Sequence, residues 1–170
     1  TTNTLINTTG DRTKISGGSQ VSDNLFHNFD TFSVDTHHTA DFVVPETVQS
    51  VIGQISGGQP SEIHGTLQVS GSSADLFLLN PAGVLVGPDA QLNLGGSLTA
   101  TTADAVGFGE AWLDVVSAAE YEQFQQAPDA YLFSVEQPAA VINQAALTTA
   151  EQQTIHLIGG TVTNTGRLSA

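Results

Sequence analysis

Short β-branched runs, glycine doublets and one direct repeat make this chain an all-β solenoid. Apolar runs recur at Phe42 to Val44, Val51 to Ile55, Thr66 to Val69, Leu76 to Leu79, Val84 to Val86, Leu92 to Leu94 and Ile155 to Ile158, each bounded by Gly, Asn, Pro or Ser. Runs of this length closed by turn residues are strand signals, and their spacing is too short for the crossover helices of an α/β fold. The doublets Gly17-Gly18, Gly57-Gly58, Gly95-Gly96 and Gly159-Gly160 mark corners, where backbone must bend or approach a neighbour closely. Near the carboxy end, Val141-Ile142-Asn143-Gln144-Ala145-Ala146-Leu147 aligns with Val162-Thr163-Asn164-Thr165-Gly166-Arg167-Leu168 at an offset of 21 residues. That period matches one solenoid turn, whose rung buries its apolar side only by stacking on the next.

Taken from the amino end, Leu5-Ile6-Asn7 and Lys14-Ile15-Ser16 predict two short strands around Thr9-Gly10-Asp11. An open solenoid end exposes apolar rung edges, so these strands are the natural cap. The eight phenylalanines read as core. Phe26, Phe29 and Phe32 recur at helical spacing, but flanking Asn, Asp and Thr with Val34 favour strand and turn. Leu76, Leu78, Val84 and Val86 take alternate strand positions, which predicts that they reach the interior. From Glu110 to Ala127 the pattern breaks: Ala118 to Gln126 is rich in helix formers and closed by Pro128, predicting a short helix, while Trp112 to Val116 fits strand or helix. Trp112, Tyr121 and Phe124 would pack this excursion against the outside of the solenoid. Asn80 precedes Asn143 by 63 residues, three such periods, across an irregular stretch. Asn suits a repeated corner, because it tolerates left-handed backbone and its amide can bond the Asn of the adjacent coil.

Composition bounds the function. The chain has 170 residues, 39% of them hydrophobic, enough for one domain, 1-170, with a sizeable core. Arg12, Lys14 and Arg167 stand against seventeen acidic residues, for a net charge of −14. Nucleic acid and anionic membrane surfaces are therefore excluded as partners, since affinity for either rests on clustered Lys and Arg. No run reaches the length of a membrane span, so no stable insertion is expected, and no basic-then-apolar signal peptide opens the chain. Lacking an initiator Met as well, the sequence reads as a mature or recombinant fragment. With no cysteine, it belongs to a reduced compartment or is an exported chain that needs no staples.

Catalytic and metal patterns are weak. Asp35-Thr36-His37-His38-Thr39-Ala40-Asp41 holds ligand residue types, but adjacent histidines of an extended chain point to opposite sides, which predicts a solvated turn and no metal site. Ser61, Glu62 and His64 are the residue types of a nucleophilic triad, yet triad members converge in space rather than crowd one turn. Ser61 after Pro60 is expected to bond neighbouring backbone. Gly-rich phosphate loops and calcium-type acidic loops are missing, so no cofactor is expected and no residue is assigned a catalytic role. Trp112 and Tyr121 together could form a carbohydrate-binding strip, although two aromatics more often pack.

Three blocks identify the chain further: Gly57-Gly58-Gln59-Pro60-Ser61-Glu62-Ile63-His64-Gly65-Thr66-Leu67, then L-F-L-L-N-P-A-G-V-L-V-G from Leu76, then L-N-L-G-G-S-L-T-A-T-T-A-D from Leu92. With Leu25-Phe26-His27-Asn28-Phe29 and Phe32-Ser33-Val34, they resemble the amino-terminal secretion domain of filamentous haemagglutinin-like exoproteins, the exported partners of bacterial two-partner secretion. The resemblance implies a right-handed parallel β-helix with an amino-terminal β cap and an extra-helical excursion. It implies a secretion-targeting and folding-nucleus domain, monomeric and not an enzyme, recognised in the periplasm by the POTRA domains of an Omp85-type outer-membrane transporter. The parent exoprotein would then be threaded to the cell surface, a route that disulfides would obstruct. The end at Ala170, just inside a repeated unit, predicts an array cut short. Within the blocks, Gly57, Gly58, Pro60, Ser61, Gly65, Gly95 and Gly96 are expected as turn residues. Asn80-Pro81-Ala82-Gly83 matches the family's N-P-N-G at all but Ala82, and the family's N-P-N-L motif is absent. The retained residues are those a β-turn requires, which favours a rung corner over a side-chain signal read by the transporter. The rival readings are a carbohydrate-binding adhesin module and a small carbohydrate-active β-helix enzyme. An enzyme of that kind needs convergent carboxylates with a Lys or Arg nearby, and neither base occurs between Lys14 and Arg167.

Overall fold

A computed structural model describes residues 2–170. Strands β1 (Thr4–Thr9), β2 (Arg12–Gly17), β3 (Ser19–Val21) and β4 (Asn24–Phe29) open the chain. They are followed by β5 (Thr39–Val43), β6 (Ser50–Ile55), β7 (Ser61–Ile63), β8 (Thr66–Ser70), β9 (Asp75–Leu79), β10 (Val84–Val86), β11 (Gln91–Asn93) and β12 (Leu98–Thr101). An excursion holds β13 (Ala105–Phe108), β14 (Ala111–Asp114), a 3-10 turn (Tyr121–Gln123) and β15 (Ala130–Leu132). The chain then returns through β16 (Ala140–Asn143), β17 (Ala146–Thr148), β18 (Ile155–Ile158), β19 (Thr161–Asn164) and β20 (Arg167–Ser169).

From β5 onward the strands wind over three faces in turn. The first face stacks β1-β2-β5-β8-β11, the second β3-β4-β6-β9-β12-β18, and the third β7-β10-β16-β19; β17 pairs with β20 and lies over β11, extending the first. Among the described residues, all pairings within the coils are parallel, and only β1 with β2, β3 with β4 and the excursion sheet are antiparallel. This is the expected parallel β-helix with its amino-terminal cap. The 21-residue repeat is one rung: Val141 lies over Val162, Asn143 over Asn164 and Leu147 over Leu168. Asn143 donates its amide to Oδ1 of Asn164 at 2.9 Å, the corner ladder that the repeat predicts. Asn80 belongs to a different corner, between the second and third faces, whereas Asn143 and Asn164 lie between the third and first. Its spacing from Asn143 is therefore coincidental.

Alternation along each strand sorts side chains between two apolar layers. Leu25, Phe29, Val51, Ile55, Leu76 and Leu78 of the second face point into the solenoid, where Val84 and Val86 of the third meet them. Their odd-one-out neighbours Phe26, Ile52, Phe77 and Leu79 point outward and are covered by the excursion through Val106, Phe108, Leu113, Val115, Tyr121 and Phe124. The middle strands of the second face, β4, β6, β9 and β12, are thus buried on both sides, and Leu76 to Leu79 of β9 reads as an unbroken apolar run for that reason. The spacing of three places Phe26 and Phe29 on opposite sides of β4, as a strand requires.

The excursion departs from expectation in two ways. Residues 118–126 form no helix beyond the 3-10 turn at Tyr121–Gln123. So short a segment is marginal as a helix on propensity alone, and burying Tyr121 and Phe124 three residues apart on one side decides its course. Phe26 stacks on Tyr121 with ring centroids 4.6 Å apart, and Phe108 and Phe124 approach to 5.0 Å. Trp112 lies on strand β14 but faces outward, 48% exposed, because Leu113 takes the inward position beside it.

Candidate corner site and its surroundings

The three sequence blocks mark the three corners of the coil. Gly57 to Ser61 joins β6 to β7, and Asn80 to Gly83 joins β9 to β10 one rung above, so these two motifs stack at one corner. Gly65 lies where the third face passes to the first, and Gly95-Gly96 where the first passes to the second. Glycine is required at these places by neighbouring backbone: a side chain at Gly65 would meet the carbonyls of Asp35 and His38, and one at Gly96 would meet the Ala74 carbonyl at 2.5 Å. At Gly57 the obstacle would be Asp30.

The stacked corner is built around Asn80, which is fully buried. Its carbonyl accepts the Gly83 N–H at 3.1 Å, closing a β-turn with Pro81 at the first central position, where a fixed φ is an advantage. Its side-chain oxygen accepts the Ala82 N–H at 3.0 Å. Its amide reaches down one rung, donating to the Gln59 carbonyl and to Ser61 Oγ, both at 2.9 Å. In return Ser61 N–H donates to the Gly83 carbonyl at 3.0 Å, and Pro60 packs beneath Gly83, whose φ is +132°. Every polar atom of the Asn80 side chain is used inside the protein. Ala82 presents only a methyl group, so the departure from the family pattern costs none of these bonds.

Ser61, Glu62 and His64 do not form a triad. Ser61 is buried against Asn80, while Glu62 alternates to the opposite, exposed side, with its Oε2 3.9 Å from His64 Nε2. In the Asp35 to Asp41 stretch, His38 N–H donates to the Asp35 carbonyl at 3.0 Å, forming an exposed turn. Asp41 is buried apart from it on β5, where it accepts Nε of Arg12 at 3.2 Å, a second Arg12 donor, and Ser70 Oγ at 2.6 Å. Among the described residues, no group of three or more His, Cys, Asp or Glu could hold a metal ion. The carbohydrate strip does not form either: Tyr121 is buried beneath the excursion while Trp112 is exposed.

Two buried polar residues fasten the excursion, and sequence reasoning missed both. Gln54, outward-facing on β6, donates its amide towards the carbonyls of Val115 at 2.7 Å and Ser117 at 3.2 Å, and its oxygen accepts the Tyr121 hydroxyl at 3.0 Å. Asn24 on β4 donates to the carbonyls of Phe124 at 2.9 Å and Gln126 at 2.6 Å. The only sequence signal was an amide inside an apolar run, Val51-Ile52-Gly53-Gln54-Ile55. On the inner side of β4, His27 is fully buried beside Phe29 and Phe42, with Nδ1 2.9 Å from Thr4 Oγ1 and Nε2 without a partner among the described residues. Burial lowers its pKa to about 4.

Comparison with known proteins follows the same outline. A family model described as TPS secretion domain matches residues 1–170. The crystal structure of the HMW1 secretion domain from Haemophilus influenzae superposes with a TM-score of 0.67 at 24% identity, covering 98% of this chain and 39% of that one. The heme/hemopexin-binding protein of Haemophilus influenzae is 28% identical over 99 residues, 58% of this chain. Those residues are 10% of that protein, so the chain spans a small part of the curated relative it matches.

Proposed function

Because this chain belongs to the TPS secretion domain family, we propose that it is the secretion-targeting and folding-nucleus domain of a larger exoprotein, recognised by an Omp85-type outer-membrane transporter through its periplasmic POTRA domains. Two-partner secretion exoproteins pass through the periplasm to the cell surface or are released there, and this chain takes that route. The full-length family match carries the reading. Residues 1-170 act as one monomeric unit without catalytic activity; the family is a secretion domain, and the triad residue types here lie on opposite sides of β7.

The Asn80-Pro81-Ala82-Gly83 turn serves this role as a latch between rungs rather than as a contact for the transporter. Gly57, Gly58, Pro60 and Ser61 form the lower half of the latch, and Gly65, Gly95 and Gly96 let the other two corners close. Supporting this division is the burial of the Asn80 amide, whose partners are all internal. Folding outside the cell supplies a bias without ATP: net stability of roughly 0.05 to 0.15 kcal/mol per residue gives a coil of about 20 residues some 1 to 3 kcal/mol against retreat.

The test replaces residues 1-170 in the parent exoprotein by an unrelated β-helix segment and follows surface appearance with its transporter present. Loss of surface protein with accumulation in the periplasm is expected. A parent that reaches the surface at the normal rate without this domain overturns the reading.

A further inference from the structure

The excursion sheet has an outer face, largely apolar, that no described residue covers. Its strand order is β14-β13-β15, and the register aligns Trp112, Gly107 and Ala130 in one row, with Asp114, Ala105 and Leu132 in the next. Val106, Leu113 and Tyr131 take the alternate positions and face the protein, so these two rows face away from it. Trp112 lies across the sheet: its Cη2 is 3.4 Å from where a Cβ on Gly107 would sit, and Gly107 is buried under it. Leu132 at the far edge is 48% exposed, and Val116 just beyond β14 is 57% exposed. Large apolar side chains gathered on one outer face mark interaction sites more often than scattered ones do.

Charge identifies what fits there. Between Asp104 and Glu136 the chain carries seven carboxylates and no Lys, Arg or His. Asp104, Asp114 and Asp129 are held by backbone N–H donors, from Ser134 at 2.6 Å, Val116 at 3.1 Å and Gly109 at 3.2 Å. Among the described residues, the ion pairs join Arg12 to Asp41 and His64 to Glu62, both outside the excursion. A carboxylate-rimmed indole suits a guanidinium, which stacks on the ring through its face and donates to the carboxylates through its edge.

We propose that the outer face of the sheet formed by β13, β14 and β15 is the surface through which this domain docks on its transporter, taking an arginine-bearing periplasmic surface across Trp112. The inference rests on the transporter reading above and assigns it a place. It separates recognition from folding: the Asn80 latch works inside the coil, and the docking face stands on an appendage outside it. A partner can then hold the excursion while rungs form or unwind at a different corner.

The experiment immobilises the purified domain and measures binding of its whole Omp85-type transporter, in detergent micelles, at low and high salt. Trp112→Ala and Leu132→Ser each weaken binding tenfold or more, as an interface centre does. Asp114→Asn slows association and reduces its salt dependence. Val43→Ser, an exposed apolar position on the first face, leaves binding unchanged. Urea midpoints for all four variants separate lost binding from lost folding. If the parent domain binds and both Trp112→Ala and Leu132→Ser, folded, bind equally well, the docking face is wrong and the transporter reading stands. If the parent domain does not bind the transporter at all, both fall. Self-association of the parent that disappears in Trp112→Ala, with transporter binding unaffected, assigns the face to a second copy and overturns the proposal.

Discussion

The middle coils and the last coil share one architecture but not one burial. Strands β6, β9 and β12 are buried on both sides, with the solenoid interior beneath them and the excursion above. Strands β19 and β20 are exposed along almost their whole length. The repeat is legible where burial is thin, and it fades where burial is thick. In the last rungs only Val, Asn and Leu positions are constrained, and they recur at 21 residues. In the middle, each position answers to two layers and to corner motifs of unequal length. The step from Val84 to its partner Val141 also includes the entire excursion.

The largest test of this contrast compares the two layers directly. Leu78→Ala in the interior and Leu79→Ala under the excursion should each cost about 2 to 5 kcal/mol, whereas Leu168→Ala at the exposed rung should cost less than about 1 kcal/mol. Urea unfolding measures all three. If Leu79→Ala creates a separate early transition while Leu78→Ala shifts the whole curve, the excursion is an independent unit rather than a second wall of the same core.

Acid should strike the cap side of the double-walled region. His27 has a folded pKa of about 4 against 6.5 when free, so the unfolded chain binds the proton first. Its contribution is complete above pH 6.5 and declines as pH falls towards 4, by up to about 3 kcal/mol. A urea midpoint series from pH 7.5 to about pH 4 should show this loss, and His27→Leu should flatten it. An identical slope in the variant would place the acid sensitivity elsewhere.

Fastening of the outer wall is expected to be worth less. Gln54→Leu strands the carbonyls of Val115 and Ser117 and the Tyr121 hydroxyl, a cost of about 1 to 3 kcal/mol, and should speed hydrogen exchange across 111–124 before the coils themselves. Smallest of all, Asn164→Ala, at an exposed position, removes the acceptor of the Asn143 amide and should cost about 1 kcal/mol, read as earlier fraying of β19 and β20. Uniform exchange in both variants would mean that wall and last rung are held by apolar packing alone.

The sequence by itself determined the strand runs, the corners and the rung. Those depend on local chemistry: β-branched alternation, Gly and Asn where backbone turns sharply, and a repeat that stacks like on like. Gly65 and Gly96 were legible as corners because only glycine allows another rung's carbonyl to approach so closely. Only the tertiary structure decided what lies over the second face. Residues 118–126 carry helix formers and still form only the 3-10 turn at Tyr121–Gln123, because apolar contacts with Phe26, Ile52 and Phe77, distant in sequence, outweigh a propensity of a few tenths of a kcal/mol per residue. The same long-range packing drew Tyr121 inward and left Trp112 outside, and it gave Gln54 and Asn24 partners sixty to a hundred residues away. A periodicity records which side of a strand is buried; it does not record which distant segment buries it.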